Sequence, residues 1–555
     1  MKERVSEPAS SVVKLVAAVC ALFVLVMTAR RLLLGVDFGD EATYVAVAWR
    51  FVLGDRPFVD EINLIQTASF FTLPLVWLWK QIAGDLDGVV LFLRCAWLAA
   101  SAVLAAWSAR KLAPGIGSGL AWLVVLPIVA GVPLGIPTFS YNTLASGFFL
   151  AGLVLLLVAV RGGARWSWFA AGIAHGWAAF AIPTDLIAAL AGLVCALVLA
   201  RERRIAALLG YAAGGVIAVA IFTPMLAGID RETFAFGYAY TGGSGAWFTK
   251  LLTLRWQTWR LLELKPWAGA ALAAFLLFAW LGRRRLALVA LAAASAMLVP
   301  GRGVIDSSLH LFLTALLGAF VFPFVRKDPH ARAVFVVLWI PGVIGAVVAA
   351  WTSGNAIANA GFGALPAAIA TLWFAARFAL DEAEGRKAEL AGALVPAVFV
   401  ILLVHEQRAV YLDDEPEQLV ARVDDGPFAG LYTTPEKKAW LDDVSSAIRA
   451  AAPGHERIIA VVHFPLAYLL TDLKPATRTV WGLACPPEQD WDCDERFTAD
   501  LAHFGARDVL VVELRRLHYS SKEIREQPAG SVSRAVRERF QPTLERGDYS
   551  LFVPR

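Results

Sequence analysis

Charge is scarce in this sequence. Only 17% of its 555 residues are Asp, Glu, Lys or Arg, against about 25% in an ordinary globular chain. It has eight histidines, five cysteines and four methionines. So few cysteines exclude a disulfide-dense secreted scaffold. So little charge excludes a disordered chain or a free nucleic-acid binder. No G-x-G-x-x-G or Walker run follows a strand pattern, so a nucleotide site has no support in the sequence. The residues that fill the chain are apolar: 58% belong to the hydrophobic class. Runs of roughly 15–25 apolar residues recur as far as residue 408, the mark of a polytopic membrane protein.

The charges are unevenly placed. Ala409 to Arg555 holds 18 basic and 24 acidic residues, a net of −6. The whole chain is +4, so the part before Ala409 is +10. An apolar body over 1–408, a short acidic linker over 409–423 and a soluble domain over 424–555 follow from this. In the body about 13 segments read as spans, from Val13–Leu34 to Ala391–Val404. Basic clusters fall at every second connection, among them Arg110–Lys111, Arg161/Arg165, Arg283–Arg285 and Arg386–Lys387. The positive-inside rule then puts these clusters and the N-terminus in the cytoplasm. An odd number of spans puts the C-terminal domain outside a cytoplasmic (inner) membrane. The aromatic segment Ala68–Ala83 would break this alternation as a span, and reads as a helix lying at the outer interface.

Two external loops are long, 35–88 and 227–266, and long loops in a compact body usually carry function. In the C-terminal part Pro435–Ala451 reads as a helix, as does the stretch near Phe497–Phe504. Arg457–Val462, Asp508–Val512 and Tyr549–Val553 read as strands, with Thr477–Trp481 a candidate fourth. The alternation suggests a small α/β domain. Cys485 and Cys493 fit a disulfide if this domain is external, with a metal pair as the alternative. The histidines His455, His463, His503 and His518 are scattered and form no visible catalytic constellation. The domain is expected to position an acceptor or contact a partner.

The first loop opens with G-D-E-A-T-Y, holding Asp40, Glu41 and Tyr44. Carboxylates at a membrane surface beside amphipathic helices suit an enzyme with a lipid substrate. One could take the proton from an acceptor hydroxyl as it attacks a sugar carbon. A divalent metal (Mg, Mn or Zn) held by Asp40 and Glu41 is a second use. The plain alternative is that Asp40 caps the helix and Glu41 sits in its first turn.

These features resemble the GT-C superfamily of integral-membrane glycosyltransferases, and most of all the branch with protein O-mannosyltransferases and the lipid A aminoarabinose transferase. Those enzymes place a D-E pair after the first span and a helix with a Tyr after it, matched here by Asp40, Glu41 and Tyr44. The run W-R-F-V-L-G-D-R-P-F-V-D follows their pattern at Trp49, Arg50, Gly54, Pro57 and Asp60. The chain departs from the family in two places. It lacks the H-P-P-L run before the interfacial helix, and its next external loop, I-P-T-F-S-Y-N-T, has no acid. Asn142 in that loop could bind phosphate or sugar, or sit in a capped helix start. Asp185 could replace the missing acid or serve as an N-cap, and Arg302, near Asp306 and His310, could pair with a lipid-linked phosphate.

The resemblance implies an inverting transfer from a polyprenyl-phosphate-linked sugar, without a nucleotide. The acceptor would be an envelope glycan, lipid or protein, with membrane lipids around the body and no nucleic acid. A transporter or a flippase of lipid-linked sugars is the alternative. Two further groups carry open readings. His175 lies mid-span as a site residue or a neutral interhelical bond, and Asn355 could bind sugar or cap a helix.

Overall fold

The structure, a computed structural model, describes residues 11–200, 204–229, 231, 252–258, 265–298, 306–353, 355–380, 386–481, 493–504, 508–526 and 531–555. Each of the thirteen apolar segments carries helix. Among the described residues seven helices are long and apolar enough to cross a membrane, and four apolar helices are shorter. The protein is therefore a polytopic α-helical membrane protein with a small C-terminal α/β module.

The body begins with α1 (Ser11–Leu32), α2 (Asp40–Val52), α3 (Ser69–Ala83) and α4 (Val89–Leu112). α5 (Ser118–Val125) runs into the single turn α6 (Pro127–Ala130). Then come α7 (Tyr141–Val160), α8 (Trp166–Ala181), α9 (Asp185–Leu199) and α10 (Arg204–Ala220). After the second long loop follow α11 (Pro266–Trp280), α12 (Arg284–Met297), α13 (Asp306–Val325), α14 (Pro329–Val334), α15 (Ile340–Thr352), α16 (Ala360–Leu380) and α17 (Arg386–Glu406). Small residues let these helices approach closely. A Cβ on Gly172 would lie 2.0 Å from the Tyr211 carbonyl oxygen, and one on Gly214 2.0 Å from that of Phe169, so α8 and α10 meet backbone to backbone.

α3 packs on α2 and does not qualify as a span. Trp77 is 50% and Ile82 70% exposed, which leaves apolar side chains uncovered on this helix.

The C-terminal module contains α18 (Pro435–Ala451), α19 (Cys493–Phe504) and α20 (Ser531–Arg539). Its short strands are β1 (Ala421–Arg422), β2 (Tyr432–Thr433), β3 (Arg457–Ala460), β4 (Lys474–Pro475), β5 (Val509–Leu514), β6 (Arg516–His518), β7 (Ile524–Glu526), β8 (Phe540–Glu545) and β9 (Tyr549–Pro554). Five of them form one sheet in the order β4-β3-β5-β9-β8. β3 is parallel to β4 and β5, and β9 is antiparallel to β5 and β8. Thr477–Trp481 is not a strand. Its polar groups are taken up locally and by the first loop: Thr477 Oγ1 donates to the Thr479 carbonyl, and Val480 N–H to Glu61. Cys485 lies outside the described residues, and with it the Cys485–Cys493 pairing.

The first loop and this module share one hydrophobic core. Phe38, Val45, Trp49, Phe70 and Val90 pack with Trp440, Phe464, Tyr468, Leu510 and Tyr519. Backbone bonds stitch the two further: Gly35 N–H to Tyr432 O, Ile62 N–H to Arg478 O and Gly88 N–H to Gly426 O. The acidic segment between body and module is anchored too. Asp413 accepts from Val36 N–H and Thr433 Oγ1, and Asp414 accepts from Ser521.

Candidate functional site

Asp40 is the first residue of α2, and its carboxylate does not cap the helix. The N-cap is Gly39, with no side-chain cap bond. Asp37 satisfies the first amides instead, accepting from Gly39 N–H at 2.9 Å and Glu41 N–H at 2.8 Å. That frees Asp40 for another use. Its Oδ2 accepts the phenol proton of Tyr411, from the segment leaving α17. Its Oδ1 has no partner among the described residues.

Glu41 behaves differently. It is fully buried, and both of its oxygens are held by Arg94 of α4, at 2.8 and 2.5 Å. The same guanidinium binds the carbonyls of Leu32, Leu34 and Gly35. Arg94 and Glu41 thus tie the exit of α1 to α2 and α4, a structural task. The D-E pair has split into one committed and one open carboxylate.

Around Asp40 stand further groups from both halves of the chain. Tyr44, on the next turn of α2, meets Tyr141 of α7 edge-on, with ring centroids 5.9 Å apart. Burial, then the charges around it, hold the Tyr44 phenol well above its ordinary range. Burial also pushes Asp37 up, to about 8, with Asp40 and Glu41 adding to the effect. Tyr411 is raised by burial first, then by Asp40 and Asp37. Beside them a cleft is lined by Thr43, Tyr44, Ile65, Ser69, Thr72, Phe139, Ser140 and Tyr141. It joins short polar side chains to aromatic faces, the mixture that suits a sugar or the polar end of a lipid.

His463 comes from the module. Its Nε2 lies 3.4 Å from Thr43 Oγ1, and its ring stacks on Trp481 at 5.1 Å and 16°. Burial lowers its pKa, with Asp40 pulling the other way, a shift that favours the neutral imidazole. Tyr519 stacks on Phe38. Lys437 lies under this floor, fully buried, and donates to the carbonyls of Val36, Leu412 and Tyr519.

The other candidates from the sequence are dispersed. Asp60 accepts from Arg56 N–H at 2.8 Å and pairs with His503 at 3.1 Å. Burial pushes its carboxyl up, but these bonds and the nearby arginines hold it below the ordinary range. Its neighbour Glu61 is buried with Arg50 and accepts three backbone N–H bonds. Asn142 is buried in the first turn of α7, which Ser140 and Thr143 close as a capping box. Asp185 opens α9, which packs on α7, α8 and α15 rather than on α2. Arg302 lies outside the described residues, as does most of the second long loop. His310 pairs with Glu406 at 3.0 Å, both fully buried. His175 is a satisfied helix contact, bonded to Tyr211 at 2.7 Å. Asn355 lies in the turn after α15, where its N–H donates to Ser353.

Among the described residues no three metal-type side chains gather. With both Glu41 oxygens on Arg94, the Asp40–Glu41 pair does not fit a divalent cation.

Tyr411, His463 and Asp37 escaped sequence reasoning. Asp37 is the first acid of V-D-F-G-D-E, and its spacing could have flagged it. His463 follows an apolar strand, where ligand-binding residues of parallel sheets collect. Nothing in the sequence marks Tyr411.

No family model matches the chain, and no curated protein does. Among solved structures, two of ArnT from Cupriavidus metallidurans match over 97% of this chain and 97% of theirs. One is in the apo state, at 14% identity and a TM-score of 0.40. The other is bound to undecaprenyl phosphate, at 13% identity and the same TM-score. A likeness this loose assigns no residue and no reaction to this chain.

Proposed function

We propose that this protein is a GT-C-type membrane glycosyltransferase with Asp40 as its general base. It would act on the outer face of the cytoplasmic membrane, with a polyprenyl-phosphate-linked sugar as donor. The acceptor would be a hydroxyl of an envelope glycan, lipid or protein. The observation that carries this reading is the open Oδ1 of Asp40. It is a carboxylate oxygen without a partner among the described residues, placed where the helical body meets the module, one helical turn before Tyr44, which lines the cleft.

In the reaction the acceptor oxygen attacks the anomeric carbon while Asp40 Oδ1 takes its proton. The bond from that carbon to the phosphate oxygen breaks, and the lipid phosphate leaves. A single displacement inverts the anomeric centre. Glu41 takes no direct part, because Arg94 occupies it. No nucleotide enters this step. Asp40→Asn tests the reading with purified protein and a panel of polyprenyl-phosphate sugars. Turnover should fall roughly 10²–10⁴-fold while the protein still folds. Turnover near that of the wild type would remove Asp40 from the chemistry.

A further inference from the structure

Three loops of the module gather around the start of α2, beside Asp40, through Thr43, His463 and Phe38, and all follow parallel strands or their direct continuation. His463 lies three residues beyond β3, Trp481 follows β4, and Tyr519 follows β5 through β6. β3, β4 and β5 run parallel, so their carboxyl ends share one edge. In open α/β sheets that edge is where ligands bind. Here it is pressed against the first turn of α2.

The hydrogen bonds favour one tautomer of His463. Thr43 Oγ1 donates its one proton to the Gly39 carbonyl at 3.0 Å. In that arrangement the longer contact to His463 Nε2, at 3.4 Å, is donated by the ring. With the proton on Nε2, Nδ1 of a neutral imidazole carries a lone pair. This atom has no partner among the described residues. It lies on the Gly39 side of the ring, since a Cβ on Gly39 would be 3.8 Å from it. One residue further along stands Asp40.

The charge around this lone pair is also defined. Arg94 is held by Glu41, and Lys437 by three carbonyls and Asp413. Arg50 is held by Asp55 and Glu61. Among the described residues, the groups left open next to this lone pair are Oδ1 of Asp40 and aromatic faces, while Asp37 accepts two backbone N–H bonds. Open acceptors of this kind favour a hydroxyl donor over a further anion at this spot.

We infer that His463 is an acceptor-binding residue: its Nδ1 accepts a hydrogen bond from one hydroxyl of an uncharged polyol, such as a sugar ring, and turns an adjacent hydroxyl toward Asp40. The inference rests on the proposed glycosyl transfer for its second clause. Trp481 stacks behind the imidazole and fixes its plane. The module thereby selects the acceptor, while the helical body holds the lipid.

Binding is read directly on the full chain in nanodiscs labelled with ¹³Cε1-histidine. The His463 signal is assigned by its loss in His463→Gln. Methyl α-mannopyranoside and glycerol serve as neutral probes and glycerol 3-phosphate as the anionic one. A saturable shift of the His463 signal with a neutral probe, weaker with the phosphate, is the expected result. No shift with either neutral probe, or an equal shift with the phosphate, overturns it. In turnover, His463→Ala should raise the acceptor KM by about three- to tenfold with kcat little changed, since one neutral hydrogen bond is lost. His463→Gln should recover part of this through its amide oxygen. An equal fall in acceptor transfer and in donor hydrolysis by water would instead mark a structural role. Full transfer activity in Asp40→Asn would end the base role of Asp40, and with it the clause that aims a hydroxyl at Asp40, yet leave the binding result standing. A silent His463 signal beside an inactive Asp40→Asn would end only this inference.

Discussion

The phenol of Tyr411 donates its proton to Asp40, a residue 371 positions earlier in the chain. This bond joins the segment leaving the last helix of the body to the helix that follows the first. It fixes one carboxylate oxygen and aims the other. Tyr411→Phe removes only the hydroxyl. A hydrogen bond to a charged group contributes about 1.5–3 kcal/mol, so turnover should drop by about tenfold or more. The acceptor KM should stay near its original value, because Tyr411 touches the base rather than the substrate. A faster Tyr411→Phe enzyme would show that the phenol restrains Asp40 rather than positions it.

The adjacent acids should separate cleanly in stability. Glu41→Gln leaves the buried Arg94 without its counter-charge, and breaking such a pair typically costs about 3–5 kcal/mol. The three carbonyls that Arg94 retains place the loss toward the lower end. Asp40→Asn should cost no more than about 1 kcal/mol, since only the Tyr411 bond weakens. Thermal unfolding in detergent, run beside turnover, separates the two. Equal stability losses would mean that Asp40 shares the structural task.

This division between Asp40 and Glu41 was not legible in the sequence, although the pair itself was. Apolar runs and basic clusters set out the helical body, because span length and charge bias are local properties of the chain. The helix over Pro435–Ala451 and the apolar strand from Arg457 were equally readable. The partners of Asp40 come from 371 residues away and from beyond β3. Tertiary packing decides which acid stays open, and Arg94 lies in the second turn of a long apolar helix, where nothing local marks its partner. Thr477–Trp481 misled for a related reason: its strand-like composition serves a turn whose backbone bonds go to the first loop.

Asp37 gives a pH dependence with a definite sign. Its folded pKa is raised to about 8 by burial and by the two neighbouring acids, against an ordinary value of about 3.9. Between these values the folded protein holds a proton that the unfolded chain releases. The stabilisation from this group is complete below about pH 4 and is lost as pH rises toward about 8. The thermal midpoint should therefore fall between about pH 5 and pH 8 and level off above. Asp37→Asn cannot titrate, and its amide oxygen still accepts one of the two backbone N–H bonds. Its midpoint should vary less over this range. An unchanged slope in Asp37→Asn would assign the pH dependence to other groups.

The last prediction concerns removal of the module. A soluble appendage on a linker could be deleted, over Asp413–Arg555, with some reaction left toward a small soluble acceptor. The shared core argues otherwise. Trp440, Phe464, Tyr468 and Tyr519 are buried against residues of the first loop, and each large apolar side chain withdrawn from a core costs about 1.5–3 kcal/mol. The backbone bonds to Tyr432, Arg478 and Gly426 would go as well. The loop over 35–88 should then unfold locally even while the membrane helices persist. Arg50 is a natural reporter, because it is fully buried in the intact protein and trypsin cannot reach the bond after it. Truncation should make that bond labile and abolish transfer together. A truncated protein that still protects Arg50 would show that the loop folds alone, and any lost activity would then trace to His463 and its neighbours.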